Sequence, residues 1–456
     1  MLDTKQLFNI CGILLGVAVV AMIFSELNTA LADIRQALHA SVNQIQWIIN
    51  IYGVIICSTM VVIGRMADRY GQKKIYLLGL FLLAGSMFIS AISPNANVII
   101  FSQALTGLAG AMILPVSQAL TVNAFGSADR SKAIGLWAAN AGLALAAGPL
   151  VAGVVIHLLG WRWVFFCNVI ITVISFITVL TLTAESKSKA TNDSLNLFGS
   201  FLLIVTIASI VLVISEGQSL STSVNILLYS IFVIGFVWFI WHEKNAKTPI
   251  IQEQLFKSKT FLLAALCIFC LLFAVWSIMF LMPLFLQEFF SYSALITGYY
   301  MLGITLPLAV LSITAGNWYK RFGPKKLIFL GFITIVVSLA LQMLFRSSPN
   351  VTLIIVATVC FGIGWGLVWG LVTTLAISTV DSDQAAVASG SFITVQEIGG
   401  TVGLAATASV FRETNTSLLH SYHYSMWLLL GVIAFGCLMS LALPNMIKKH
   451  FNYTGD

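Results

Sequence analysis

Charge is scarce in this chain. Only 9% of its 456 residues are Asp, Glu, Lys or Arg and 59% are hydrophobic, whereas an ordinary soluble domain is about 25% charged. No water-soluble core absorbs that excess, so a soluble globular fold is excluded and a membrane-embedded one is required. Long polar stretches are missing too, which argues against a sensor carrying a soluble signalling domain. His39, His157, His242, His420, His423 and His450 fall in loops or near helix ends, and no Ser-His-Asp or metal-ligand spacing joins them, so the signatures of a membrane enzyme, a metal centre or a cofactor site are absent. The seven cysteines lie in apolar stretches and give no disulfide framework; Cys267 and Cys270 form a C-x-x-C with no second ligand pair. No cleavable leader is recognisable either. Met1 to Gln6 carries one Lys and one Asp without a small-residue cleavage site, so the first apolar run is expected to remain as a helix.

What the chain has in quantity is apolar runs long enough to cross about 30 Å of hydrocarbon, roughly 17 to 25 residues each. Fourteen are expected, near 7–31, 44–63, 75–93, 98–122, 132–157, 163–183, 197–215, 223–241, 260–288, 294–316, 325–345, 350–376, 385–411 and 424–443. With both termini inside, nineteen Lys and Arg fall in cytoplasmic segments and four, Arg35, Arg162, Arg346 and Arg412, fall outside. That bias fixes the orientation, and the net charge of +7 reads as attraction to anionic head groups, with no pointer to nucleic acid.

One phrase occurs twice. Gly64-Arg-Met-Ala-Asp68-Arg69-Tyr-Gly71-Gln-Lys73-Lys74 returns 252 positions later as Gly316-Asn-Trp-Tyr-Lys320-Arg321-Phe-Gly323-Pro-Lys325-Lys326. Each copy is a short basic turn between apolar runs, so the chain is a duplicated membrane protein. Two like halves rocking about a central pathway are the simplest design for a transporter. Polar seams near 185–196 and 242–260 bracket two further helices, dividing the chain into a six-helix bundle over 1–190, an inserted hairpin over 191–245 and a second six-helix bundle over 246–456.

The phrase at Gly64 to Lys74 resembles the signature loop of the major facilitator superfamily. The run holding Gly135, Gly148, Pro149 and Gly153 resembles the helix-five motif of its antiporters. Gly160-Trp161-Arg162-Trp163 and Phe361-Gly362-Ile-Gly364-Trp-Gly366 are further family phrases. The chain is therefore identified as similar to the fourteen-helix drug/proton antiporter branch, an all-α integral membrane class. The resemblance implies gating roles for Gly64, Asp68, Arg69, Gly71, Lys73, Lys74, Gly135, Gly148, Pro149 and Gly153. Independently, glycines and alanines at about four-residue spacing make a smooth face for close helix approach, and Pro149 interrupts the hydrogen-bond ladder where a hinge can form.

Acids inside the bilayer cost at least about 2.5 kcal/mol unless they meet a partner or a wet cavity. Glu397, midway along the thirteenth run, and Glu26, towards the outer part of the first, are the candidate proton-coupling residues; Glu216 and Glu288, at the outer ends of the seventh and ninth, are expected to be exposed. A carboxylate in such surroundings holds its proton more tightly, which is the chemistry of proton-coupled export. The sequence departs from the family at Ile23, where relatives carry the helix-one acid, at Gln103, where they carry an arginine, at Lys320 opposite Asp68, and at Gln396.

The resemblance places Asn28, Gln103, Met112, Gln118, Trp276, Met279, Phe280, Trp365 and Trp369 along the cargo cavity. Trp365 and Trp369 are four apart on one helical face, and indoles with soft thioethers adapt to varied guests. The expected activity is proton-coupled export of amphipathic drugs or small metabolites. A dedicated siderophore or metabolite transporter, or a facilitator uncoupled from protons, fits the same features. The resemblance further implies a bacterial inner membrane, cytoplasmic termini, a monomer compatible with periplasmic efflux partners, and no cofactor, metal or nucleic acid.

Overall fold

A helix satisfies its backbone hydrogen bonds within itself, which is why apolar runs of this length fold as helices in hydrocarbon. The computed structural model describes residues 3–125, 130–185, 196–217, 220–246, 258–378, 385–413 and 417–444. They form fourteen helices: α1 Thr4–Leu38, α2 Val42–Tyr70, α3 Gln72–Ala91, α4 Ala96–Phe125, α5 Arg130–Leu159, α6 Arg162–Leu182, α7 Leu197–Glu216, α8 Thr222–Asn245, α9 Lys259–Glu288, α10 Ala294–Phe322, α11 Pro324–Gln342, α12 Val351–Ser378, α13 Ala385–Glu413 and α14 Leu418–Leu441. Among the described residues eleven are long and apolar enough to cross a bilayer, and the apolar stretches of α7 and α10 are shorter. The remaining helix, α13, carries Gln396 and Glu397 at its middle.

Several helices outrun the apolar runs that foretell them. The α1 helix continues past residue 31 through Asp33 and Arg35 to a left-handed cap at His39 (φ 48°). Entry points carry side-chain caps: Ser41 Oγ accepts from Gln44 N at 3.2 Å while Gln44 Oε1 accepts from Ser41 N at 2.9 Å. The side chains of Asn196, Ser221 and Ser258 cap α7, α8 and α9 by accepting from Gly199 N, Val224 N and Phe261 N. Of the expected seams near 185–196 and 242–260, residues 186–195 and 247–257 lie outside the described residues, as do the side chains of 312–317 and 319–321, including those of Lys320 and Arg321.

Duplication is visible in the backbone. Tyr70 and Phe322 close α2 and α10, 252 positions apart, and Gln72 and Pro324 open α3 and α11 at the same offset. Gly71 and Gly323 between them hold φ of 107° and 79° with ψ of 130° and 156°, a conformation strained for any residue with a Cβ. Packing repeats as well. In the first six helices α1 packs on α5 and α6, α2 on α4, and α3 on α4 and α6; in the last six α9 packs on α13 and α14, α10 on α12, and α11 on α12 and α14. Gly79 and Gly331, again 252 apart, admit α4 against α3 and α12 against α11. The two sets meet along two seams, α5 with α10 and α2 with α13. Helix α7 packs on α8 and also lies across the second seam, touching α2 and α13.

Candidate functional site

The basic turn after α2 is built as a bracket. Asp68 accepts a hydrogen bond from Gln72 and faces Arg65, and Asn123 of α4 donates to Gln72 Oε1 at 3.1 Å. Lys73 Nζ reaches the Leu180 carbonyl at the end of α6, 2.9 Å away, and the Arg69 guanidinium lies over the Tyr70 ring. The turn thereby ties together neighbouring ends of α2, α3, α4 and α6. Gly64 has open space around it, whereas a Cβ on Gly71 would collide with Glu185. Lys74 is exposed.

In α5 the small residues do different jobs. A Cβ on Gly148 would fall on Ser25 Oγ and within 3.1 Å of the Met22 carbonyl, so this glycine sets the approach of α5 to α1. Pro149 follows it inside the helix, and Asn140 Nδ2 donates to the Leu14 carbonyl at 2.9 Å. Gly142 faces the other way, against Leu308 of α10 and the Trp369 ring. Gly135 and Gly153 are half-buried towards the two ends of the helix. The Gly160-Trp161-Arg162 phrase forms the corner between α5 and α6: Gly160 has φ 90°, and Arg162 stacks on Trp161 while donating to the Ser93 carbonyl at 3.1 Å.

The two candidate acids have different surroundings. Glu26 is 2% exposed and turns towards α6, where Asn168 Nδ2 donates to Glu26 Oε2 at 2.5 Å. Glu397 is 4% exposed on α13, at the junction of the two halves. Its carboxylate lies within electrostatic range of Tyr52 and Cys57 on α2. Gln396 Nε2 donates to Glu397 Oε1 at 3.4 Å, and Glu397 Oε2 is buried without a hydrogen-bond partner. One turn further along, Thr401 meets Cys57 across the seam, Oγ1 to Sγ 3.0 Å. Glu288 is exposed as expected. Glu216 is not: it is 2% exposed and accepts from Asn50 Nδ2 at 2.5 Å, because α7 lies against α2 at this depth.

Beside Glu397 stands an indole cluster. Trp365 and Trp369 stack with centroids 5.6 Å apart. Trp137 of α5 meets Trp369 edge-on at 6.4 Å and donates from Nε1 to Ser117 Oγ of α4 at 2.9 Å. Trp369 Nε1 donates to Gln396 Oε1 at 3.1 Å, while Trp365 Nε1 is buried without a partner. Among the other expected lining residues, Gln103 is fully buried with neither amide atom paired. Trp276 packs flat against Gly400 of α13, and Met112 turns to Gly79 of α3. Gln118 and Met279 are buried, and Asn28 and Phe280 are half-buried. Gln396, Trp137, Ser117, Tyr52 and Asn168 escaped the sequence reading as site residues. A polar residue inside an apolar run is the signal that was available for Gln396 and Asn168.

The profile described as Major Facilitator Superfamily matches residues 13–404. The chain is 28% identical over 455 residues, 98% of each chain, to the uncharacterized MFS-type transporter YvkA of Bacillus subtilis. It is 27% identical to the multidrug resistance protein Stp of Mycobacterium tuberculosis, over 98% of this chain and 81% of Stp. Its fold resembles the crystal structure of the human organic anion transporter MFSD10 (TETRAN), with a TM-score of 0.69 over 96% of this chain and 100% of that one, at 13% identity.

Proposed function

Because the chain belongs to the Major Facilitator Superfamily, and is thus a multi-pass secondary transporter, we propose that it is a proton-coupled exporter of amphipathic drugs or small metabolites. The observation that carries this reading is Glu397: a carboxylate buried where the two halves meet, with one oxygen unpartnered, beside a stacked indole pair. A buried acid of this kind is costly and marks an ion or cargo pathway. Glu397 loads and releases the driving proton as the bundles of 1–190 and 246–456 open to either side, with the hairpin of 191–245 riding on the α2/α13 seam. Glu26, held by Asn168, is the second proton-coupling acid. The bracket around Asp68, Arg69, Gly71 and Lys73 and the glycines of α5 serve the gating, and Trp365, Trp369, Gln103 and Trp276 line the cargo path. One charge crossing the field gains about 2.3 kcal/mol per 100 mV, so one proton per cycle supports roughly fiftyfold accumulation of a neutral cargo at 100 mV. The membrane is a bacterial inner membrane with both termini in the cytoplasm, and the chain acts as a monomer, open to periplasmic efflux partners. The name of Stp supports the drug-efflux side of this reading.

Ethidium uptake into everted vesicles tests it. The expected result is accumulation under an acid-inside pH gradient that collapses with a protonophore; dye movement indifferent to the gradient overturns proton coupling. A second reading, transport of a dedicated polar metabolite, is favoured by Gln103, whose two buried amide atoms suit a cargo that both donates and accepts. Under that reading, cells lacking the protein keep their tolerance of dyes and antiseptics.

A further inference from the structure

The hydrogen bonds around Gln396 run in one direction. Trp369 Nε1–H gives to Gln396 Oε1 at 3.1 Å, and Gln396 Nε2–H gives to Glu397 Oε1 at 3.4 Å. An indole can only donate, so Trp369 fixes which end of the amide faces it and which end is left for Glu397. All three side chains are 5% exposed or less, so the chain of bonds lies inside the protein. The arrangement suits an ionised Glu397, which only accepts.

A proton on Glu397 changes the pattern. The carboxyl becomes a donor, and a buried O–H without an acceptor carries the desolvation penalty of an unpaired polar group. Glu397 Oε2 has no acceptor where it stands. Its sequence neighbour Gln396 carries an acceptor, Oε1, which accepts from Trp369 Nε1. If the amide turns to accept the carboxyl proton, its Nε2–H points at the indole N–H, donor against donor. Turning the amide to accept the carboxyl proton therefore breaks the Trp369 bond.

Trp369 is where that change leaves the C-terminal set of helices. It stacks on Trp365 and meets Trp137 of α5, which Ser117 anchors on α4. We propose that Gln396 is the positioning residue that couples the two functions of the site: its amide turns when Glu397 is protonated, releasing the Trp369 indole N–H from α13 so that the indole stack repacks for cargo and loosens its contact with Trp137. This rests on the reading of Glu397 as a proton carrier and adds the route by which the proton is felt.

The other titratable groups packed near α13 have little part in it. Tyr52 and Cys57 face Glu397 from α2, and their ordinary ionisation lies above neutral pH. Cys267 of α9 is grouped instead with Cys270 and with Cys437 of α14. Helix α4 has no titratable side chain, α7 has Glu216 at its outer end, and α12 has Cys360. Lys259 and Glu288 stand at the two ends of α9, and His420, Tyr422, His423 and Tyr424 at the outer end of α14.

The full chain, grown with 5-fluorotryptophan and held in nanodiscs, tests the coupling without any cargo. The Trp369 fluorine resonance is assigned by its loss in Trp369→Phe, with Trp369→Tyr as a second assignment variant. In the wild type it is expected to shift with pH. In Glu397→Gln, and in Gln396→Met or the shorter Gln396→Asn, that shift is expected to be lost while the remaining tryptophan resonances keep their positions. A Trp369 resonance that is silent to pH in the wild type, or that titrates unchanged in the folded Gln396 variants or in Glu397→Gln, overturns the proposal. Proton coupling stands or falls separately, on the gradient-driven dye uptake of everted vesicles.

Discussion

The two seams between the halves are related by duplication and yet differ in chemistry. Along α5 and α10 the contact is broad and apolar: Gly142 admits Leu308, and Gly298 sits against Leu150. Along α2 and α13 the contact is slighter and polar: Gly53 receives Thr401, Cys57 meets the same threonine, and Glu397 lies beside them with α7 across the join. The 252-residue offset puts Pro149 of α5 in correspondence with Thr401 of α13. One copy has a proline next to Gly148 at this place; the other has a hydroxyl, one turn from an acid. Duplication thus supplies two surfaces between the halves, and among the described residues the buried acid Glu397 lies on the α2/α13 one.

Overpacking the apolar seam should do the most damage. A side chain at Gly142 runs into Leu308, so Gly142→Leu is expected to cost about 1–3 kcal/mol or more and to lower the detergent melting temperature markedly. The same comparison at the polar seam should be milder, because a Cβ at Gly53 stands 3.2 Å from Thr401 Cγ2, and a shift of a few tenths of an ångström relieves it. A Gly53→Ala variant as unstable as Gly142→Leu would erase the distinction between the seams. Asn50→Leu removes the donor to buried Glu216 and is expected to cost about 1–3 kcal/mol, read as earlier proteolysis of the α7/α8 hairpin. Smallest is Thr401→Val, which removes a single weak partner of Cys57 and should change stability by about 1 kcal/mol or less in a thermal shift.

The sequence makes the helices legible because a span must be apolar from end to end, and it makes the duplication legible because the turn at Gly71 and Gly323 needs a positive φ that glycine supplies. Glu397, Trp365 and Trp369 stand out for the same reason: an acid or a pair of large rings in an apolar run is conspicuous by composition. Partners across helices are not legible in this way. That Glu26 turns to Asn168, that Glu216 is buried by Asn50, and that Gln396 bridges Trp369 and Glu397 depend on which helices pack together and at what rotation. A run of hydrophobic residues on every face gives no phase from which to read that rotation. Met112 illustrates the limit, since a soft side chain on a helix expected to line the cavity lies against Gly79 of α3.

On the proposed reading the driving proton is handled at Glu397, on the polar seam. Proton release from everted vesicles on addition of ethidium, compared between wild type and Glu397→Gln at equal amounts of folded protein, is the decisive measurement. Release is expected from the wild type and none from the variant. Release by Glu397→Gln equal to that of the wild type would make the carboxylate a structural feature of α13 and refute its role as proton carrier.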